Sequence, residues 1–144
     1  MSSGEEGTPE LSARLGYLFK HAALRLEELH REALAPYGID GRELGVLIVL
    51  AGAESSSQHE VAQRVGSDRT TMVALLDVLE RKGLVSRQPH PQDRRRNVVE
   101  LTEHGRATVR DATRASDAAE KELLAPLSVP ERKDLREALR RINE

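Results

Sequence analysis

The stretch SQHEVAQRVGSDRTTMVALLDVLERKGLVSRQPHPQDRRRNVVELT, Ser57 to Thr102, decides the reading of this chain. It begins as a short helix. Ser57 and Glu60 have the spacing of a capping box, and Val61, Ala62 and Val65 supply an apolar side. Gly66 offers a sharp turn, after which Ser67 or Asp68 caps a longer helix. In that helix Met72, Leu75, Leu76 and Leu79 fall at i, i+3, i+4 and i+7, one inner stripe. Lys82-Gly83 closes it, with glycine suited to a left-handed residue and a cation near the negative end of the dipole. Leu84–Arg87 and Asn97–Leu101 are β-prone runs flanking Gln88–Arg96, a turn-rich segment that ends in Arg94, Arg95 and Arg96. Short helix, glycine turn, longer helix and hairpin is the order of a winged helix-turn-helix.

The outer face of the longer helix carries Arg69, Thr70, Thr71, Val73 and Ala74 at its leading end. A solvated helix end more often carries Glu or Lys. Hydroxyls and an arginine can meet base edges in a major groove, small side chains let the backbone approach, and Val73 and Ala74 can touch thymine methyls. An arginine-tipped hairpin can enter a minor groove or hold phosphates beside it. The charge distribution agrees. Arg64 to Arg96 holds eight basic residues against four acidic ones, in a chain whose net charge is -2. A cationic module on an anionic body holds a polyphosphate on one face.

Outward from this stretch the chain reads as helix. Leu15, Leu18, Phe19, Ala22, Leu26, Leu29 and Ala33 form one stripe of a helix from Leu11 to about Leu34, which Pro36 and Gly38 end. Leu11, Tyr17 and Leu24 add apolar surface beyond the stripe, which suggests a subunit interface as readily as core packing. Asp40 and Glu43 box the start of the next helix, which should stop near Gly52, with Glu54-Ser55-Ser56 as the connection. After the hairpin, Thr102 caps a helix running to about Leu127, and Ser128, Pro130 and Glu131 start a last one with Leu135, Ala138, Leu139 and Ile142 inward. The expected fold is mostly α with a small β-hairpin wing: a winged helix-turn-helix of six helices that dimerises through its N- and C-terminal helices. Residues 1–10 are a flexible lead-in, 11–35 and 103–144 the helical dimerisation region, and 36–102 the winged helix-turn-helix, all in one intertwined domain.

Composition excludes several classes. With no cysteine, disulfides, thiolate metal sites and cysteine nucleophiles drop out. His21, His30, His59, His90 and His104 are scattered, so no metal or cofactor is expected. No apolar run reaches the roughly 20 residues of a membrane span, and the acidic start is unlike a signal peptide, which points to a cytoplasmic protein. No nucleophile elbow, phosphate-cradling glycine loop or HExxH motif appears, so the chain is not read as an enzyme. RNA or single-strand binding is disfavoured because the basic region has no aromatic for base stacking. The alternative is a winged-helix module that binds protein and not DNA.

The chain also resembles the MarR (multiple-antibiotic-resistance-type) family of regulators. Asp93-x-Arg95 followed by Leu101-Thr102 is similar to the family's D-x-R-x5-L-T wing signature, and Asp68–Met72 with Leu79–Val85 to its recognition helix and exit. Ser57-Gln58 through Ala62 is similar to the helix before it. The resemblance implies a homodimeric repressor on a palindromic double-stranded operator, released by a small anionic or phenolic ligand. By position it implies DNA contact for Ser57, Gln58, Ser67, Asp68, Arg69, Thr70, Thr71, Ala74, Arg94, Arg95 and Arg96, with Asp93 orienting the wing. It places a ligand pocket between reader and dimer helices, where Tyr17, His21, Arg25 and Tyr37 could line it. Many members carry arginine where this chain has Ala74 and Val78, so a less arginine-driven base preference is expected. The cysteine-based hydroperoxide switch of one branch is excluded.

Overall fold

The computed structural model describes residues 10–53, 56–93 and 97–144. In chain order these form α1 (Leu15–Leu34), α2 (Gly41–Ala51), β1 (Ser56–Ser57), α3 (Gln58–Val65), α4 (Arg69–Arg81), β2 (Val85–Pro89), β3 (Asn97–Leu101), α5 (Glu103–Leu123) and α6 (Val129–Ile142). The boundaries follow local chemistry. Arg14 is extended, so the helix expected from Leu11 begins at Leu15, behind a separate 3-10 turn over Leu11–Ala13. Pro36 opens another 3-10 turn, and Gly38, at φ +68°, ends it. Asp40 and Glu43 form the full reciprocal box on α2. Ser57 caps α3 by accepting from the Glu60 N–H at 3.1 Å, and is itself the end of a strand. The helix expected to run to Leu127 stops at Leu123, and Ser128 with Glu131 boxes α6.

The sheet holds one strand more than expected. Its order is β1-β3-β2, all antiparallel: Ser56 and Ser57 pair with Val99 and Val98, while Val85 to Pro89 pair with Leu101 to Asn97. The expected connection at Ser56 is therefore a strand that fastens α3 to the wing, and β2 runs into the expected loop as far as Pro89.

The core lies under the reader. Leu34, Val46, Leu47, Val61, Leu76, Leu79 and Val99 are all sealed from solvent, and burying each such side chain contributes about 1.5–3 kcal/mol. Two polar junctions bind the helices to this core. Glu43, buried, accepts from the Asp40 N–H through Oε1 and from Lys82 Nζ through Oε2 at 2.7 Å, and Lys82 also donates to the Gly38 carbonyl. Thr102 Oγ1 accepts from the Gly105 N–H and donates to the Gly83 carbonyl, while the Thr102 N–H donates to the Leu84 carbonyl. The Leu101-Thr102 pair is thus a buried side chain followed by a stitch between the ends of α4 and α5.

The outer helices are different. α1 packs along α5, and the His30 ring meets Ser116 Oγ at 2.9 Å. α6 buries no residue. It is held to α5 by Arg136 on Glu120 and to the connecting segment by Arg132 on the carbonyls of Leu124 and Leu127. Leu135 and Ile142, expected inward, are exposed within the single chain, as are Leu11, Leu15, Leu18, Phe19, Leu24 and Val129. Among the described residues no helix is long and apolar enough to cross a membrane.

Candidate nucleic-acid interface

Gly66 makes the turn between α3 and α4 at φ +69°, a backbone conformation that side chains with a Cβ resist. Of the two candidate caps, Asp68 takes the role: its Oδ1 accepts from the Thr71 N–H at 2.7 Å. That bond, with further help from the Thr71 hydroxyl, holds the Asp68 carboxyl below the usual carboxylate range. Ser67 Oγ donates to the Asp68 carbonyl. The helix therefore starts in one fixed place. Met72, Leu76 and Leu79 turn inward, and Arg69, Thr70 and Ala74 are left exposed.

A concavity of about 670 Å³ opens at this end of the molecule, lined by Ser57, Gln58, His59, Glu60, Ala62, Gln63, Ser67, Arg69, Met72, Val73 and Asn97. It brings together the start of α3, the start of α4 and the first residue of β3, where the wing returns from its tip. Among the expected contacts, Ser57, Gln58, Ser67 and Arg69 share this surface. Ser67, Asp68 and Thr71 line a neighbouring groove with Arg42 and Arg64. Thr70 and Ala74 stand exposed on the same helix. Arg94, Arg95 and Arg96 lie outside the described residues. Asp93, expected to orient the wing, is the residue before them and is half-buried.

The residue that sequence reading missed is Arg87. Counted there as general positive charge, it is largely enclosed on β2 and joins three elements. Its Nη2 donates to Asp77 and, at 3.0 Å, to Glu80 on α4; its Nη1 donates to Gln58 on α3; its own N–H donates to Glu80. The Glu80 hydrogen bond holds the guanidinium above its ordinary pKa, and in return Glu80 is held below the usual carboxylate range. Asp77 and Glu80, three apart on one helix face, were the available signal. Arg87 fixes the wing to the helix and engages the Gln58 amide oxygen, one Asp77 oxygen and both Glu80 oxygens.

The expected ligand residues do not converge on either concavity. Tyr17 and His21 stack at 4.0 Å between ring centroids on α1, Arg25 pairs with Glu28 at 3.7 Å, and Tyr37 packs on the core. Among the described residues no three His, Asp or Glu side chains are grouped to hold a metal ion.

Comparison with known proteins agrees with this geometry. A sequence model described as MarR family matches residues 37–96. The HTH-type transcriptional regulator YdgJ of Bacillus subtilis is 34% identical over 105 residues, a match covering 73% of this chain and 64% of that protein. A transcriptional regulator of the MarR family from Rhodococcus sp. RHA1 superposes with a TM-score of 0.86 at 30% identity, covering 94% of this chain and 96% of the other. The transcriptional repressor CouR bound to a 23-mer DNA duplex superposes with a TM-score of 0.87 at 34% identity, covering 100% and 99%. CouR of Rhodococcus jostii RHA1 bound to p-coumaroyl-CoA gives a TM-score of 0.82 at 29% identity, covering 94% and 95%.

Proposed function

This chain belongs to the MarR family, and from that premise we propose that it is a sequence-specific, double-stranded-DNA-binding transcriptional regulator and not an enzyme. It acts in the cytoplasm as a homodimeric repressor of a palindromic operator. The single observation that carries this is the shared surface: Ser67 and Arg69 at the start of α4, Ser57 and Gln58 at the start of α3, and Asn97 where the wing returns from its tip all line one concavity. The second copy is supported by the apolar residues that α1 and α6 leave uncovered, too many for a lone chain to carry in water. Two copies would present their α4 helices to half-sites about one duplex turn, roughly 34 Å, apart.

Arg69, Thr70, Thr71 and Ala74 face base edges; Ser57, Ser67, Arg94, Arg95 and Arg96 serve phosphates and the minor groove, with Asp93 orienting them. Asp68 contributes by aiming the helix, since its carboxylate already serves as cap. Release by a small anionic or phenolic ligand is supported by the CouR complex with p-coumaroyl-CoA. Tyr17, His21, Arg25 and Tyr37 are the residues assigned to that ligand. The test is duplex binding across salt concentrations. Specific binding should weaken steeply as salt rises, and Arg95→Ala should weaken binding to all sequences and lower the salt slope by about one. Binding to the operator unchanged by Arg95→Ala would refute the wing assignment, and a solution mass near the 16.0 kDa of one chain at micromolar concentration would refute the dimer.

A further inference from the structure

The middle of the outer face of α4 offers a base mostly hydrocarbon. After Arg69 and Thr70, the outward positions are Val73, Ala74 and Asp77. Val73 lines the concavity and Ala74 is exposed. Asp77 is the one polar group of that trio, and its carboxylate accepts from Arg87. The same guanidinium takes the amide oxygen of Gln58 on α3. An aspartate free at this place could accept from cytosine N4, and a glutamine could pair with adenine. Arg87 competes with both options, because it engages one Asp77 oxygen and the Gln58 amide oxygen.

A base pair under this part of the helix therefore meets hydrocarbon. In the major groove every base presents donors or acceptors, thymine O4 included, which lose water against a valine and an alanine without gaining a partner. Thymine alone adds a methyl group there, on C5, whose burial offsets that loss. The short side chain of Ala74 lets the helix backbone sit close enough for that methyl to be covered. We propose that this protein reads thymine in the middle of each operator half-site by methyl contact, with Val73 and Ala74 as the specificity-determining residues and Arg87 as the residue that keeps the contact apolar. This rests on the proposed function and names the DNA chemistry its site selects.

The experiment removes the methyl groups and leaves the protein as it is. Duplexes selected by the full-length protein from a random pool are resynthesised with 2′-deoxyuridine in place of thymidine, one position at a time. Uracil should weaken binding by about fourfold per methyl at one or two adjacent half-site positions, as expected for one lost apolar carbon, and leave flanking positions unaffected. Val73→Ala should bind the thymine and uracil duplexes more nearly alike. A second selection with Ala74→Arg should shift the preferred base there to guanine, which an arginine holds in bidentate fashion. Specific binding to half-sites with no thymine at the centre, or equal affinity for uracil at every half-site position, overturns the inference and leaves the proposed function standing. Absence of specific duplex binding overturns both.

Discussion

Gly45 and Gly105 both lie in helices, and replacing either by alanine adds the same methyl group. At Gly45, in the middle of α2, an added Cβ meets nothing within 4 Å. Alanine there should stabilise the fold by about 0.5–1 kcal/mol, because it restricts the unfolded chain and favours the helix. At Gly105, in the first turn of α5, the same atom would stand 2.0 Å from the Leu84 carbonyl oxygen and 3.0 Å from its carbon. Ordinary carbon–oxygen contacts begin near 3.3 Å, so the two segments must part by more than about 1 Å. Leu84 has no freedom to give: its side chain is buried and its carbonyl accepts from the Thr102 N–H at 3.1 Å. Overpacking costs about 1–3 kcal/mol, and a weakened hydrogen bond adds about 1 kcal/mol. Set against a small helix gain, Gly105→Ala should destabilise by about 3 kcal/mol. Urea unfolding at one fixed protein concentration reads both variants, the denaturation midpoint rising for Gly45→Ala and falling for Gly105→Ala with similar slopes. A Gly105→Ala midpoint within experimental error of wild type would refute the close approach of α5 to the end of α4.

Other perturbations follow from the same contacts. Glu43→Ala removes the acceptor for both the Asp40 N–H and Lys82 Nζ at a buried position and should cost about 2–4 kcal/mol in urea unfolding, with Glu43→Gln costing less because one acceptor survives. Asp68 has a lowered carboxyl pKa in the folded state, so its contribution is complete above the ordinary value of 3.8 and disappears as pH falls through the folded value. The stability gap between wild type and Asp68→Ala should accordingly be constant near neutrality and close below about pH 4; a gap that widens in acid would contradict the capping role. Arg87→Met frees Asp77 and Glu80 beside the DNA-facing surface and unfastens the wing. It should lower duplex affinity by about tenfold while the solution mass stays that of a dimer. Faster amide exchange in β2 and β3 than in α2 would show that the wing is what was loosened.

Which of these contacts the amino-acid order reveals depends on how far along the chain their partners lie. Asp40 with Glu43, Asp68 with Thr71, Thr102 with Gly105 and Ser128 with Glu131 are each three residues apart, so their spacing alone announces a helix start. The inner stripe of α4 is legible for the same reason, and those elements, in their order, carry the wing and the reading helix. Arg87 could not be read this way. Its partners are seven, ten and twenty-nine residues distant and sit on two other elements; in the sequence it is one more cation in a basic stretch. Ser56 was equally hidden, because a strand of two residues has no period, and it becomes a strand only when Val99 comes alongside. Gly105 looks like an imperfection in a helix until Leu84 is placed against it. The unread contacts share a task. Ser56–Ser57 on β3, Arg87 on α3 and α4, and Thr102 with Gly105 against Gly83 and Leu84 each hold the wing or α5 to the helix-turn-helix. Local pattern fixes which segments exist; these distant contacts fix the angle between them. A duplex imposes that angle, because a helix in one groove and a wing in the next are useful only at the spacing of the groove walls. Loosening any one contact should therefore weaken DNA binding more than it weakens the helices themselves.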